Sequence, residues 1–171
     1  IGLYLKGTMN DGLIFSPVCE GNLQIDCFVD ADFAGLWGYE DVQDPSCVKS
    51  RTGYIINIAN CPVFWVSRLQ EDIATSTMEA EYNALSMAMM DLLPLKHLVE
   101  EVSQKLGIAP NMSYVCPTTL HENNARALKL AQMEPERMTP RSKHYGVKYH
   151  WFRSKLKPGE IEMKYVKSDQ Q

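Results

Sequence analysis

The chain has 171 residues, of which 45% are hydrophobic and 22% charged. This size and composition fit one globular domain whose core is large enough to need no disulfide or metal staple. No apolar run approaches the roughly 20 residues that a membrane-spanning helix needs, so we expect no membrane segment and no membrane partner. The five cysteines are odd in number and form no CxxC pair, which favours an intracellular, reducing compartment, cytoplasmic or nuclear.

Charge is unevenly distributed along the chain. The formal net charge of -4 argues at first against a polyanionic partner, but residues 137–167 hold nine Lys or Arg against two acids. An acidic body with a basic late segment suits a metal-dependent enzyme that acts on a phosphodiester backbone. The alternative is that the basic residues form an ordinary solvated helix face.

The first strong element is a strand over residues 23–29, which alternates and then becomes wholly apolar, as a strand does when it enters the middle of a sheet. Asp30 closes this strand. Two further apolar runs, 52–59 and 63–66, are split by Asn60, Cys61 and Pro62 and predict an antiparallel hairpin.

The longest predicted helix begins at Ser76, where Ser76 and Glu79 form the pattern of a capping box. It should run past Leu93, with Pro94 imposing a bend or a break. Glu81 falls on a helix face that is otherwise apolar, so its carboxylate should point inward. An unpaired carboxylate there would cost several kcal/mol, which means that Glu81 needs a partner.

The second half predicts a strand over 113–121, in which Pro117 favours an edge or irregular position. Helices should follow over 125–132 and 142–156, the first opened by Glu122, and 161–166 alternates as a final strand. This order predicts an α/β domain with helices on both faces of a mixed sheet.

Four acidic residues stand at the ends or inner faces of these elements: Asp30, Asp32, Glu81 and Glu122. Carboxylates from separate elements that converge on one point repel each other and lose hydration, so a cation among them is the leading explanation. The pattern therefore predicts a metal site.

Each acidic residue also has a structural alternative. Asp30 and Asp32 could be turn or capping residues, Glu81 could form a buried salt bridge, and Glu122 could simply favour a helix N-terminus. For Asp32 the loop role is the favoured one. Structural rather than catalytic or base-stacking roles are also favoured for His121, His144, Trp65 and Trp151.

Six ordered motifs resemble the ribonuclease H domain of copia-type retrotransposon polyproteins. They span nearly the whole chain and comprise 4–8 (YLKGT), 30–35 (DADFAG), 50–54 (SRTGY), 76–85 (STMEAEYNAL), 122–124 (ENN) and 142–144 (SKH) with 149–150 (YH). The resemblance implies a connecting segment after a reverse transcriptase over 1–21. It implies a ribonuclease H-like domain over 22–171 that stops before its last motif.

The same resemblance implies a five-stranded ribonuclease H-like fold that hydrolyses the RNA strand of RNA/DNA hybrids. Two Mg²⁺ ions, for which Mn²⁺ can substitute, would be held by Asp30, Glu81 and Glu122 at the family's first three carboxylate positions. The family usually has Asp at the third position, and its fourth carboxylate does not occur before Gln171.

Candidates for phosphate contacts are basic residues of the late segment: Arg141, Lys143, Lys148 and Lys155. The reverse transcriptase domain of the same polyprotein is the implied protein partner. The alternative function is a catalytically impaired copy whose fold persists as a structural or interaction module, with a larger assembly as its partner.

Overall fold

The computed structural model describes residues 2–12, 14–18, 23–108, 114–132, 151, 154 and 160–167. Its strands are β1 (Ile25–Asp32), β2 (Arg51–Ile58), β3 (Cys61–Leu69), β4 (Thr118–Glu122) and β5 (Glu162–Tyr165). Its helices are α1 (Gly2–Gly7), a 3₁₀ turn (Pro45–Val48), α2 (Thr77–Lys105) and α3 (Ala125–Gln132). The strands form one sheet in the order β3-β2-β1-β4-β5.

The sheet is mixed, as predicted. β1 pairs antiparallel with β2 and β2 with β3, whereas β1 pairs parallel with β4 and β4 with β5. The predicted hairpin is β2 and β3, and it turns at Ala59 and Asn60, whose φ angles are 50° and 65°. Two residues with positive φ form the type of turn that matches the twist of paired strands. Pro62 is tolerated in β3 because β3 is an edge strand.

Helix α2 begins where the capping box predicts. The Ser76 hydroxyl accepts a hydrogen bond from the Glu79 N–H (3.2 Å), and the Glu79 carboxylate accepts from the Thr75 N–H (2.6 Å) rather than from Ser76. The helix then continues through Pro94 for 29 residues, so the predicted break is absent. Pro94 and Met90 are exposed, and water can therefore satisfy the Met90 carbonyl that proline leaves without a donor.

Strand β4 lies inside the sheet, between β1 and β5, so of the predicted edge or irregular position the edge alternative is wrong. Pro117 precedes the strand and so removes no donor from its ladder. The Pro117 carbonyl accepts from the Ile25 N–H (2.9 Å) and joins the start of β1 to the start of β4.

The core lies between the sheet and α2. In β1 the side chains of Ile25, Cys27 and Val29 are fully buried, and α2 packs against β1 and β2. Helix α3 contacts α2, β4 and β5, so the two helices lie on the same face. Most of the helix predicted over 142–156 is outside the described residues, although Trp151 packs against this core as predicted.

The remaining described parts are more exposed. Residues 2–18 join the sheet through the Val18 N–H and the Ala59 carbonyl (3.0 Å). The division between residues 21 and 22 stays a prediction. Trp65, predicted to be core, is 59% exposed on the edge strand. Within the described ranges, none of the helices combines the length and the apolar content that crossing a membrane requires.

Candidate metal centre

The three predicted ligands lie at the same end of the sheet. Strands β1 and β4 run parallel with Val29 paired to Glu122, so Asp30 follows one residue beyond that pair. The Glu81 carboxylate reaches the same place from α2, where it accepts a hydrogen bond from the Ala31 N–H. Elements separated by about 40 to 50 residues thus place three acids at the same end of the sheet.

Glu81 is the inward carboxylate that the helix periodicity predicts. Its side chain is buried, and its Oε2 atom has no hydrogen-bond partner. Burial, together with the negative charge of Asp30, raises the pKa of Glu81 to about 8. Among the described residues Glu81 forms no salt bridge.

Glu122 is fully buried at the end of β4. Its Oε1 atom accepts from the Asn124 N–H (2.8 Å), while Oε2 has no hydrogen-bond partner. Burial, followed by the charges of Glu81 and Asp30, raises the pKa of Glu122 to about 8. One oxygen therefore supports the turn into α3, as the structural alternative proposed, and the other remains for a ligand.

Asp30 is the exposed member of the group. Its Oδ1 atom accepts a hydrogen bond from the Asn123 side-chain amide (3.0 Å). Because neighbouring positions of a strand alternate between faces, the Asp30 side chain starts on the face opposite to Val29 and its partner Glu122. The three acids interact electrostatically. Asp30 approaches from one face of the sheet, and Glu81 and Glu122 approach from the other.

Asp32 is the last residue of β1 rather than a residue of the following loop, which corrects the favoured loop role. It is exposed, and its carboxyl group folds over the following turn so closely that a Cβ atom at Gly35 would lie 1.9 Å from its Oδ2 atom. Glycine at position 35 is what permits this close approach.

Known proteins resemble the chain over most of its length. It is 29% identical over 170 residues, 98% of the chain, to the retrovirus-related Pol polyprotein from transposon TNT 1-94 of Nicotiana tabacum. It is 26% identical over 98% of its length to the corresponding polyprotein from transposon RE1 of Arabidopsis thaliana. The chain spans about a tenth of the length of these curated relatives, 11% and 10%. No protein-family model matches it.

Solved structures show the same fold. LC11-RNase H1 isolated from compost superposes with a TM-score of 0.53 at 16% identity, over 85% of this chain and 86% of that one. The same enzyme in complex with an RNA/DNA hybrid gives a TM-score of 0.51 at 16% identity, over 85% of this chain and 87% of that one. The chain has the ribonuclease H-like fold, and it is similar over 98% of its length to retrovirus-related Pol polyproteins from transposons. The resemblance inferred from the motifs is confirmed.

The carboxylates of this ribonuclease H-like domain have the chemistry of a divalent-cation site. Oxygen ligands suit Mg²⁺, and two buried oxygens, Glu81 Oε2 and Glu122 Oε2, lack the hydrogen-bond partners that such atoms normally have. As arranged, the described part of the chain contains no group of three or more His, Cys, Asp or Glu close enough to hold a metal ion. The residue types, and the burial of Glu81 and Glu122, suit a divalent cation. The Asp30 side chain starts on the face of the strand opposite to Glu122.

Two residues around the site were missed by the sequence analysis. Asn123 holds Asp30, and Asn124 caps α3 by accepting from the backbone N–H groups of Arg126 and Ala127 (3.0 and 3.1 Å). The signal for Asn124 was present, because Asn before a helix is a preferred cap. The Asn123 contact depends on the register of β1 against β4, which the sequence does not specify.

The other predicted residues divide into two groups. His121 is structural, as favoured: its Nε2 atom lies 2.8 Å from Asp26 Oδ1, and its ring stacks on Phe28 with centroids 4.4 Å apart. The remaining predictions fall outside the described residues and concern His144 and the phosphate-contact candidates Arg141, Lys143, Lys148 and Lys155.

Proposed function

We propose that this chain is the ribonuclease H domain of a copia-type retrotransposon polyprotein, and that it hydrolyses the RNA strand of RNA/DNA hybrids with a divalent metal. The observation that carries the proposal is that Asp30, Glu81 and Glu122 lie at the same end of the sheet and interact electrostatically. Two of the three bury an oxygen without a partner. Such a group is stable with its negative charges only when a cation joins it.

Asp30, Glu81 and Glu122 are the residues that would hold Mg²⁺, or Mn²⁺ in its place. Two bound ions supply an activated water for in-line attack and stabilise the leaving 3′ oxygen. Asp30 is exposed and can contact both cation and substrate, and Asn123 restrains its carboxylate. Glu81 and Glu122 contribute charge from the buried side, where water screens it least.

The proposed substrate is supported by the solved complex of LC11-RNase H1 with an RNA/DNA hybrid, which shares the fold. Hybrid recognition would rest on backbone shape and on contacts to 2′-hydroxyl groups. We keep Arg141, Lys143, Lys148 and Lys155 as the proposed phosphate contacts. Binding through such residues weakens as salt concentration rises.

The proposed context is a longer polyprotein with an adjoining reverse transcriptase domain. The transposon polyproteins that the chain resembles support this, because the chain covers only 10–11% of their length. A reducing intracellular compartment, cytoplasmic or nuclear, is supported by Cys27, Cys47, Cys61 and Cys116, which are free and buried.

A second candidate function is a catalytically impaired copy that serves as a structural or interaction module. Two observations favour it: Asn124 already occupies one oxygen of Glu122, and Asp30 starts on the opposite face of the sheet from Glu122. The family's usual Asp at position 122 has one methylene fewer, and Mg²⁺ demands near-ideal ligand distances of about 2.0–2.1 Å.

Cleavage of a labelled RNA/DNA hybrid with Mg²⁺ and with Mn²⁺ separates the two candidates. We expect metal-dependent cleavage that falls by roughly 100-fold in Asp30→Asn, since a group that stabilises the transition state is lost. Asp32→Asn is the matched control, because it removes the same charge two residues along the same strand. It should cleave within a few-fold of the unmodified chain.

Two results would contradict the proposed hydrolase activity. An unmodified chain that cleaves no faster than Asp30→Asn in either metal favours the impaired module. Equal losses in Asp30→Asn and Asp32→Asn would show that general surface charge, rather than this centre, matters.

A further inference from the structure

An open groove lies beside Asp30 on the face of the sheet away from α2 and α3. It has a volume of ≈310 Å³, and its lining includes Phe28, Asp30, Gly53, Ile55 and Asn123. Phe28 pairs with Ile55, and Asp30 pairs with Gly53, across β1 and β2. Residues that pair directly point to the same face, so these four positions form the floor and one wall of the groove.

Nothing in the backbone conformation of the described structure requires glycine at position 53. Its φ angle is not in the left-handed region, and a Cβ atom there would meet only the Asp30 carbonyl oxygen, at an ordinary contact distance of 3.9 Å. Glycine also weakens a strand interior, since it has no side chain to pack and more freedom to lose. The fold would thus accept a larger residue at this position.

The absence of a side chain does affect the space next to Asp30. Cβ atoms at directly opposed positions of an antiparallel pair lie about 4.5–5.5 Å apart, so any side chain at position 53 would stand beside the Asp30 carboxylate. A β-branched residue would fill the part of the groove between Asp30 and Ile55. Only glycine leaves that approach fully open.

We propose that Gly53 is an access-determining residue, which keeps free the path by which the sugar–phosphate backbone of the bound nucleic acid strand reaches Asp30. This inference rests on the proposed hydrolysis of RNA/DNA hybrids. The groove matches such an occupant, because Phe28 and Ile55 offer apolar surface to a sugar ring. The Asn123 amide and the Asp30 carboxylate offer hydrogen bonds to hydroxyl groups at one end.

The test compares Gly53→Val and Gly53→Ala with the unmodified chain. Ser67→Val is the matched control, because Ser67 pairs with Gly53 on the far side from β1 and adds the same bulk on the same face, one strand further from Asp30. Binding of a fluorescein-labelled RNA/DNA hybrid is followed by anisotropy with Ca²⁺ in place of Mg²⁺. Urea unfolding and Mg²⁺-dependent cleavage are measured on the same proteins.

We expect Gly53→Val to raise the dissociation constant for the hybrid by at least about tenfold and to lower cleavage at limiting hybrid by a similar factor. Its urea midpoint should equal or exceed that of the unmodified chain. Gly53→Ala should show a smaller loss of the same kind, and Ser67→Val should bind within about twofold of the unmodified chain.

Several outcomes overturn the inference. A Gly53→Val variant that binds the hybrid as tightly as the unmodified chain would show that the groove is not the path. A lowered urea midpoint in both Gly53 variants would show that the fold itself requires glycine. If the unmodified chain binds the hybrid without cleaving it, the proposed hydrolysis fails while the binding comparison still decides the role of Gly53. If it does not bind the hybrid at all, both proposals fail.

Discussion

Glu81 and Glu122 each bury a carboxyl oxygen that lacks a hydrogen-bond partner. The charge of Asp30 acts on Glu81, and the charges of Glu81 and Asp30 act on Glu122. Without a cation the folded chain favours their protonated forms, because burial penalises the charged form and the neighbouring negative charges oppose it. A divalent cation reverses this preference. The two residues therefore link the stability of the domain to pH and, under the proposed function, to metal.

The pH dependence has a definite sign. Folding raises the pKa of both residues from an ordinary value of 4.5 to about 8, so between these values the folded chain holds protons that the unfolded chain releases. In the metal-free chain, the protonated forms of Glu81 and Glu122 make their full contribution to the stability of the fold below pH 4.5. This contribution is lost as the pH rises to about 8. The free energy of unfolding should fall by up to about 1.4 kcal/mol per pH unit for each proton.

Glu122→Gln isolates this effect, because the amide keeps the shape of the side chain and does not titrate. In urea unfolding at several pH values with EDTA, we expect the variant to lose stability less steeply between pH 4.5 and 8 than the unmodified chain. Glu71→Gln, at an exposed position, is the control and should keep the original slope. Parallel curves for Glu122→Gln and the unmodified chain would contradict the buried, charge-coupled position of Glu122.

The sequence specifies single residues well where a local period decides their direction. Glu81 could be predicted to point inward because an apolar face surrounds it, and Asp30 could be placed near the end of a buried strand, although β1 continues to Asp32. The Asn123 contact and the open space at Gly53 could not be predicted, since both depend on which residues of neighbouring strands are paired.

At the scale of elements, α2 is the part of the fold that positions the site. It carries Glu81 near its N-terminus, and it packs against β1 and β2. The capping box allowed its start to be predicted to the residue. Its continuation through Pro94 could not be predicted, because the cost of a proline depends on whether water reaches the carbonyl one turn earlier.

Replacing Pro94 should stabilise the helix and leave the site unchanged. Pro94→Ala restores an N–H donor to the interior of α2 and removes the steric conflict with the preceding turn. We expect the free energy of unfolding to rise by about 1–3 kcal/mol in urea titrations, the gain being reduced by the extra freedom of the unfolded chain. Hybrid cleavage should not change. A variant that is less stable than the unmodified chain would show that α2 requires the proline.

Strand β4 shows where sequence reasoning about elements fails. A proline near a strand argues for an edge position, yet Pro117 lies just before the ladder and β4 is an interior strand. The strand was predicted to begin at residue 113 and begins at Thr118, and this shift of five residues takes Pro117 out of the ladder. Element boundaries, rather than element types, limited the predicted topology.

At the scale of the whole molecule, the central claim is that three distant segments make one cation site. Parallel pairing of β1 with β4 places Asp30 and Glu122 at the same end, and the packing of α2 on β1 adds Glu81. The order and types of the elements could be predicted from the sequence. The face of the sheet from which each acid approaches could not be predicted, because it depends on the register that pairs Val29 with Glu122.

Calorimetric titration of the metal-free chain with Mn²⁺ tests this claim most directly. We expect saturable binding that weakens by at least about tenfold in each of Asp30→Asn, Glu81→Gln and Glu122→Gln, because a shared cation loses one charged oxygen ligand in every case. Asp32→Asn should bind like the unmodified chain. Mn²⁺ binding of equal strength in the unmodified chain and all three variants, or no saturable binding to the unmodified chain, would contradict the account.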